Sequence, residues 1–239
     1  MSELGEVFVV APDRNMSGVG TAITLLSVVR VEDVPSPVES VKAYSVQGTP
    51  ADCVILASEK LLGETPDLVV SGINHGANLG MDVMVSGTVG AAFQGYFRNI
   101  PAMAVSVFYE REVRYEAAAL VTKTLALAIS SNSMPNPLLL NVNVPSLAPE
   151  EIERADVTGL GPATFLENVE QGTDGGKRKY YWIRHNRPVN AKVQEGTDVW
   201  AVRNRRVSIT PLNVSFSSEA SPDTFGVLAD AVAAAFSSK

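Results

Sequence analysis

The 239 residues have a mass of 25.4 kDa, and 46% of them are hydrophobic while 19% are charged. This apolar fraction can supply a full hydrophobic core and excludes an intrinsically disordered chain. The 19 basic and 26 acidic residues give a net charge of −7, the wrong sign for a protein that neutralises the phosphates of duplex DNA or RNA. Duplex nucleic acid is therefore excluded as the main partner.

The cysteine content favours a reducing compartment, and the hydropathy pattern favours a protein without a membrane span. The one cysteine, Cys53, can form no internal disulfide and no cysteine-rich zinc site. No apolar run approaches the ~18 residues that span a bilayer, and the first ten residues lack the pattern of a signal peptide. We therefore expect a cytoplasmic protein that does not bind a membrane.

Short apolar runs alternate with helical patterns over about the first 145 residues. Runs typical of strands lie at 6–10, 22–31, 43–46, 67–71, 102–107 and 138–144. Helical patterns begin at Thr49-Pro50 and at Ser86, and a third covers about 115–130. This alternation predicts an α/β domain with a mostly parallel sheet.

The pattern changes after residue 145. Asp174-Gly175-Gly176 is a strong turn signal that precedes the aromatic run Tyr180–Arg184, and together they predict a β-hairpin. A strand follows at 206–212 and a terminal helix at 224–236. We expect a single domain with its core at about 1–145 and 206–212, an extension at about 146–200 and the C-terminal helix.

Three polar segments are candidates for binding a ligand. Residues 11–20 (APDRNMSGVG) and 71–80 (SGINHGANLG) follow predicted strands, and Ser86-Gly87-Thr88 opens a helix whose free backbone N–H groups suit a phosphate. Ligands of open parallel sheets bind beyond the carboxyl ends of the strands, so the segments are expected to converge on one sheet edge. Alternatively, the glycines only form tight turns and Ser86 only caps its helix. The convergence favours a site for a small phosphorylated ligand.

Other residues carry weaker signals. His75 could be a general acid or base, but no second histidine or suitably spaced hydroxyl accompanies it, which favours a loop-lining role. Cys53 is most simply a small core residue. A dinucleotide-dependent oxidoreductase is disfavoured because no G-x-G-x-x-G turn opens a helix after a strand.

At these loops the sequence resembles the SurE family of metal-dependent 5′-nucleotidases. The resemblance is carried, in order, by APDRNMSGVGTAITL, QGTPADCV, PDLVVSGINHGANLGMDVMVSGTVGAAFQG and VSITPL, and it extends from residue 6 to residue 212. It implies a Rossmann-like three-layer core with a β-hairpin extension and a C-terminal helix. In the family, the extension and the helix exchange between the subunits of a homodimer or homotetramer.

The resemblance also implies a site and an activity. Ser17, through its hydroxyl, and Asn74, through its side-chain carbonyl, match metal ligands of the family. Ser86, Gly87 and Thr88 match the segment that borders the phosphate. The implied reaction is hydrolysis of a nucleoside monophosphate, or of another small phosphomonoester, with a divalent cation such as Mg²⁺ or Mn²⁺.

One part of the family pattern does not occur in the sequence. Family members begin with a central strand that ends in Asn-Asp-Asp-Gly, and its two aspartates are the charged metal ligands; these 239 residues contain no such motif. Asp13 and Asp82 lie near the loops, but the family places both beside the site without making them ligands. A true shortened relative would leave exposed the backbone groups and apolar side chains that the central strand normally covers, so we expect a fragment or a misassigned start instead. No catalytic residue is named. The alternative is a non-catalytic nucleotide-binding or oligomer-forming remnant.

Overall fold

The computed structural model describes residues 1–109, 111–131, 134–135, 137–162, 165–173, 175, 178–188, 192–214 and 222–237. The strands are β1 (Phe8–Pro12), β2 (Val31–Val34), β3 (Lys42–Val46), β4 (Val69–His75), β5 (Ala102–Phe108), β6 (Leu139–Pro145), β7 (Arg154–Val157), β8 (Phe165–Thr173), β9 (Lys179–Pro188) and β10 (Arg206–Pro211). The helices are α1 (Pro50–Leu56), α2 (Gly87–Phe97), α3 (Glu116–Ser131), α4 (Asp198–Arg203) and α5 (Pro222–Ser237). Within these ranges, no helix has the length and apolarity required to cross a membrane.

The strands of the core form two sheets. The larger has the order β4-β5-β6-β10-β7, in which β4, β5 and β6 are parallel and β10 runs antiparallel to β6. The smaller has the order β1-β3-β2, with β1 and β3 parallel. The predicted α/β fold with a mostly parallel sheet is therefore confirmed. The sequence pattern did not reveal that the sheet is divided.

Helices cover both faces of the larger sheet. Because successive side chains of a strand point to opposite faces, Ala102 and Ala104 of β5 pack with the α2 residues Val89, Ala92 and Phe93, whereas Met103 and Val105 pack with α3. This alternation defines an α2 side and an α3 side of the sheet. The result is a three-layer arrangement with its core centred on β5 and β6.

The two elements predicted beyond the core are both present. Strands β8 and β9 pair antiparallel along their whole length, and α5 covers the predicted terminal helix. Of the turn signal that led to the hairpin prediction, Asp174 and Gly176 lie outside the described residues.

The strand predicted at 22–31 is wrong, because regular pairing begins only at Val31. Leu25, Leu26 and Val28 are strongly exposed, so the apolar alternation of this stretch has no layer to pack against. Its backbone is held by a side chain instead, since the N–H of Thr24 donates to the carboxylate of Asp52 (2.9 Å). A period-two pattern produces a strand only where a partner strand and a covering layer exist.

Candidate functional site

The loop that follows β1 presents Ser17 on its surface. Both the backbone N–H and the hydroxyl of Ser17 donate to Oδ1 of Asn15, at 2.8 and 2.6 Å. Gly18 and Gly20 follow with φ values of +78° and +60°, a backbone conformation that side chains disfavour. Since its proton is donated to Asn15, the exposed Ser17 oxygen keeps its lone pairs available to a ligand.

This loop lies directly against the first turns of α2. The N–H of Gly20 donates to the carbonyl oxygen of Val85 (2.9 Å), and a Cβ on Gly90 would lie only 2.3 Å from the carbonyl oxygen of Gly20. A Cβ on Gly87 would lie 3.3 Å from the carbonyl oxygen of Met16. The two helix glycines thus allow the backbone of the loop to approach the helix closely.

The N-terminus of α2 is built as predicted for a capped helix. The Ser86 hydroxyl accepts from the N–H of Val89 (3.2 Å), and the first helical bond runs from Gly90 N–H to the Ser86 carbonyl oxygen (2.9 Å). Because an α-helix leaves its first N–H groups without intrahelical acceptors, those of Gly87 and Thr88 are available to an anion. Ser86 thus caps α2, which is the role that the alternative interpretation of the sequence gave it.

Asn74 comes from β4, which continues further than the sequence predicted. The strand passes through Gly72 to His75 by means of an irregularity in its pairing with β5 between Ser71 and Asn74. A Cβ on Gly72 would lie 2.3 Å from the carbonyl oxygen of Val105, so only glycine fits there. The predicted loop therefore begins after His75 rather than at Gly72.

The irregularity in β4 sets which way Asn74 faces. Val70 and Ile73 both pack with the α3 side of the core, so the alternation shifts by one residue between them. Asn74, which follows Ile73, accordingly lies on the α2 side. Its Nδ2 donates to the carbonyl oxygen of Gly76 (2.7 Å), which leaves Oδ1 as the atom that can bind a ligand.

Buried amides anchor the loop that follows Asn74. Asn78 donates its N–H to Oδ1 of Asn143 (2.8 Å) and its Nδ2 to the hydroxyl of Ser106 (2.7 Å). Its carbonyl oxygen accepts from Nδ2 of both Asn141 and Asn143, at 2.9 and 3.0 Å. All four side chains are buried, so they form a polar cluster on the α2 side of the sheet, beneath the loop.

A carboxylate holds the far end of the same loop. Asp198, at the start of α4, is fully buried and accepts from the backbone N–H groups of Gly80, Gly161 and Val199, each at 2.7 Å. A Cβ on Gly80 would lie 2.6 Å from the carbonyl oxygen of Gly161. Residues 76–80 are thus fixed at Asn78 and at Gly80 by polar contacts with the core.

A second buried carboxylate holds the stretch after the Ser17 loop. Asp52 accepts from the N–H and hydroxyl of Thr24 (2.9 and 2.6 Å) and from the N–H of Thr49 (2.8 Å). Burial raises the pKa of the Asp52 carboxyl, but the hydrogen bonds from Thr24 and Thr49 outweigh burial, and its net pKa is lowered. Next to it, burial raises the pKa of the Cys53 thiol to about 12, as suits the predicted core residue.

The donor set does not by itself fit a divalent cation. Ser17 and Asn74 offer only neutral oxygens, whereas Mg²⁺ gives up its waters reluctantly and is usually bound through carboxylates. Among the described residues, no group of three or more His, Cys, Asp or Glu side chains could hold a metal ion. Asp13, 3.9 Å from Arg14, belongs to no such group.

The segments predicted to meet at one sheet edge belong to two sheets. The Ser17 loop leaves β1 of the smaller sheet and Asn74 lies on β4 of the larger one; each strand is at the edge of its sheet. The first turns of α2 link the two, because they contact the loop directly and pack on the side of the sheet that carries Asn74. His75, in contrast, lies on the α3 side of the sheet.

Sequence reasoning missed the residues that support the loops. Asn78, Asn141, Asn143 and Asp198 were not singled out, although asparagines at alternate positions of the apolar run LLLNVNVP were a usable signal. Polar side chains on one face of a buried strand need partners, and here the partner is a loop.

The fold is that of an α/β protein, and its candidate site combines glycine-rich loops with a helix N-terminus. The family model described as Survival protein SurE matches residues 1–167. A protein named 5′-nucleotidase SurE from Dehalococcoides mccartyi (strain CBDB1) is 46% identical over 215 residues, which cover 89% of this chain and 80% of that protein. The protein of the same name from Legionella pneumophila (strain Corby) is 42% identical over 217 residues, 91% of this chain and 84% of that one.

A solved structure agrees with these relatives. The crystal structure of the SurE protein from Aquifex aeolicus is 36% identical, has a TM-score of 0.77, and aligns over 95% of this chain and 90% of its own. The chain belongs to the SurE family, as the sequence motifs predicted.

Proposed function

We propose that this chain is a 5′-nucleotidase that hydrolyses phosphomonoesters of nucleosides at the site formed by the Ser17 loop, Asn74 and the N-terminus of α2. The relatives that match most of the chain carry that name. The observation that carries the proposal is the close packing of the Met16–Gly20 backbone on the first turns of α2, on the side of the sheet that Asn74 faces. The substrate class is a nucleoside monophosphate.

The phosphate group is bound at Ser86, Gly87 and Thr88. The backbone N–H groups of Gly87 and Thr88 have no intrahelical acceptors, and the positive end of the helix dipole adds to their attraction for an anion. The Ser86 hydroxyl accepts a hydrogen bond from the N–H of Val89, which holds it in place. Because it acts as the acceptor in that bond, its own proton remains free to donate. Thr88 adds a second hydroxyl in the first turn.

A direct test measures the binding of inorganic phosphate to a Thr88→Val variant. The substitution keeps the side-chain shape and removes the hydroxyl, so we expect several-fold weaker binding with an unchanged melting temperature. Thr124→Val is the matched control, because Thr124 lies on α3 and its hydroxyl donates to the backbone of Leu120. Equal phosphate affinity of Thr88→Val and the unmodified chain would count against the assignment.

Ser17 and Asn74 are proposed as the neutral ligands of a divalent cation, Mg²⁺ or Mn²⁺. Because two neutral oxygens do not suffice for such an ion, carboxylates have to complete the set. We therefore expect the 239-residue polypeptide alone to hydrolyse p-nitrophenyl phosphate poorly, with or without Mn²⁺.

The second candidate function is a non-catalytic nucleotide-binding or oligomer-forming protein. It is favoured by the absence, among the described residues, of a cluster of metal-binding side chains. One measurement separates the two functions, because only the nucleotidase gains turnover when carboxylate ligands are supplied.

Assembly into a homodimer or homotetramer is also proposed. The hairpin exposes Val169, Trp182 and Ile183, and α5 exposes Val227, Leu228, Val232 and Phe236. Exposed apolar side chains grouped in this way usually mark an interface. Light scattering at micromolar concentration should give the mass of a dimer or a larger species, and a clean monomer would contradict the proposal.

A further inference from the structure

Three aromatic side chains meet where β4 and β5 end. The rings of His75 and Tyr109 pack edge to face with centroids 4.8 Å apart and an angle of 63° between their planes. Nδ1 of His75 lies 3.2 Å from the hydroxyl of Tyr115. The rings stay accessible despite these contacts, since 38% of Tyr109 and 41% of Tyr115 are exposed and His75 is exposed as well.

This aromatic cluster lies next to Asn74, the proposed metal ligand, along the chain. His75 follows Asn74 and is the last residue of β4, Tyr109 comes directly after β5, and Tyr115 directly precedes α3. Because Asn74 faces the α2 side and His75 the α3 side, a ligand in contact with both lies across the carboxyl end of β4. That is the place where open α/β sheets bind their ligands.

The chemistry of the cluster suits a flat heterocycle. Aromatic side chains stack on bases through their faces, and every nucleobase presents such a face. The phenol and imidazole groups add donors and acceptors for the edge of a base. The three side chains remain partly open to solvent, so a ligand can reach them.

We propose that His75, Tyr109 and Tyr115 bind the nucleobase of a nucleoside monophosphate whose phosphate lies at Ser86–Thr88. This inference rests on the proposed function and extends it from the phosphate to the base. The site then distinguishes nucleotides from simple sugar phosphates, because only a nucleotide reaches the aromatic cluster.

The test is titration calorimetry of the 239-residue chain with AMP, adenosine and ribose 5-phosphate. AMP should bind more tightly than ribose 5-phosphate. Tyr109→Ala should weaken the binding of AMP and of adenosine about tenfold, the effect typical of removing one stacking partner, and leave ribose 5-phosphate unchanged. Tyr109→Phe keeps the ring and should retain most of the affinity.

Phe97→Ala is the matched control, since Phe97 is an exposed aromatic residue at the opposite end of α2 from Ser86. The Phe97→Ala variant should bind AMP, adenosine and ribose 5-phosphate with the affinities of the unmodified chain. Adenosine binding that depends on Tyr109, without binding of ribose 5-phosphate, would support the base site and count against the phosphate site. The inference is overturned if AMP binds no more tightly than ribose 5-phosphate, if Tyr109→Ala leaves AMP affinity unchanged, or if neither adenosine nor AMP binds.

Discussion

Asn78 and Asn143 form a reciprocal pair: the N–H of Asn78 donates to Oδ1 of Asn143 (2.8 Å), and Nδ2 of Asn143 donates back to the carbonyl oxygen of Asn78 (3.0 Å). The two residues are 65 positions apart, so the pair ties a surface loop to the middle of the larger sheet. An asparagine side chain presents the same kinds of donor and acceptor as a backbone peptide group. Asn143 therefore makes the two hydrogen bonds to the loop that a partner strand would otherwise make.

Breaking this pair should destabilise the protein. Asn143→Ala leaves the buried N–H of Asn78 without its acceptor, while the carbonyl oxygen of Asn78 keeps its bond from Asn141. We expect the free energy of unfolding to fall by about 1–3 kcal/mol. Urea denaturation followed by circular dichroism measures the change. Asn204→Ala is the control. Because Asn204 is exposed, its substitution should lower the free energy of unfolding by less than about 0.5 kcal/mol. A loss for Asn143→Ala no larger than the control would show that the pair contributes little.

The contact between the Ser17 loop and α2 can be tested with two glycines. In Gly90→Ala the new Cβ would lie 2.3 Å from the carbonyl oxygen of Gly20, so the loop has to move and stability should fall by about 1–3 kcal/mol. In Gly226→Ala, on α5, the Cβ meets nothing within 4 Å, and the helix propensity of alanine should raise stability by up to about 1 kcal/mol.

The same pair of variants separates a local from a general effect. Gly90→Ala should also weaken the binding of inorganic phosphate, because it displaces the loop next to the N-terminus of α2. Gly226→Ala should leave phosphate affinity as it is. A Gly90→Ala protein with unchanged stability and unchanged phosphate affinity would show that the loop does not rest on α2 as described.

Asp52 should make stability depend on pH in the acid range. Its pKa is lower in the folded protein than the value of about 3.9 in an unfolded chain, so its contribution is complete above that value and is lost as pH falls through the folded pKa. Asp52→Asn should therefore be less stable than the unmodified chain at pH 7, and the difference should shrink below about pH 4.

Urea midpoints measured from pH 7 to pH 3 test this. Asp67→Asn serves as the reference. Asp67 lies in the segment just before β4, away from the hydrogen bonds that Asp52 accepts from Thr24 and Thr49. A difference between Asp52→Asn and the unmodified chain that stays constant down to pH 3 would contradict the role given to the carboxylate.

The regular elements were predictable because their patterns are local. The apolar runs that became β1, β5 and β6 and the capping residues Thr49 and Ser86 identify strands and helix starts without knowledge of neighbours. The strand predicted at 22–31 was wrong because its apolar residues lack a covering layer, which no local pattern reveals. The extension of β4 through Gly72 depends on its close approach to Val105, a contact between distant parts of the chain.

The site was predictable only in part, for a related reason. The glycine-rich segments and the start of α2 stand out as motifs, whereas the supports of the loops come from residues far along the chain. Asp198 reaches Gly80 across 118 positions, and no spacing rule connects them. The division into two sheets was also hidden, because strand order is set by pairing rather than by the sequence of each strand.

Phosphate release from AMP is the most direct test of the proposed nucleotidase function. We compare the 239-residue chain with a polypeptide lengthened at its N-terminus by a strand ending in Asn-Asp-Asp-Gly and a following helix, roughly 20–30 residues by the usual lengths of such elements. The lengthened polypeptide should release phosphate in Mn²⁺ and stop when the metal is chelated, while the 239-residue chain should be slow in both conditions.

In the lengthened polypeptide, Asn74→Ala should lower the rate steeply with an unchanged circular dichroism spectrum, and Asn204→Ala should leave the rate unchanged. Turnover should therefore require the added aspartates, the metal and Asn74 together. Absence of Mn²⁺-dependent phosphate release from the lengthened polypeptide, or equal rates with and without the Asn74 amide, would contradict it.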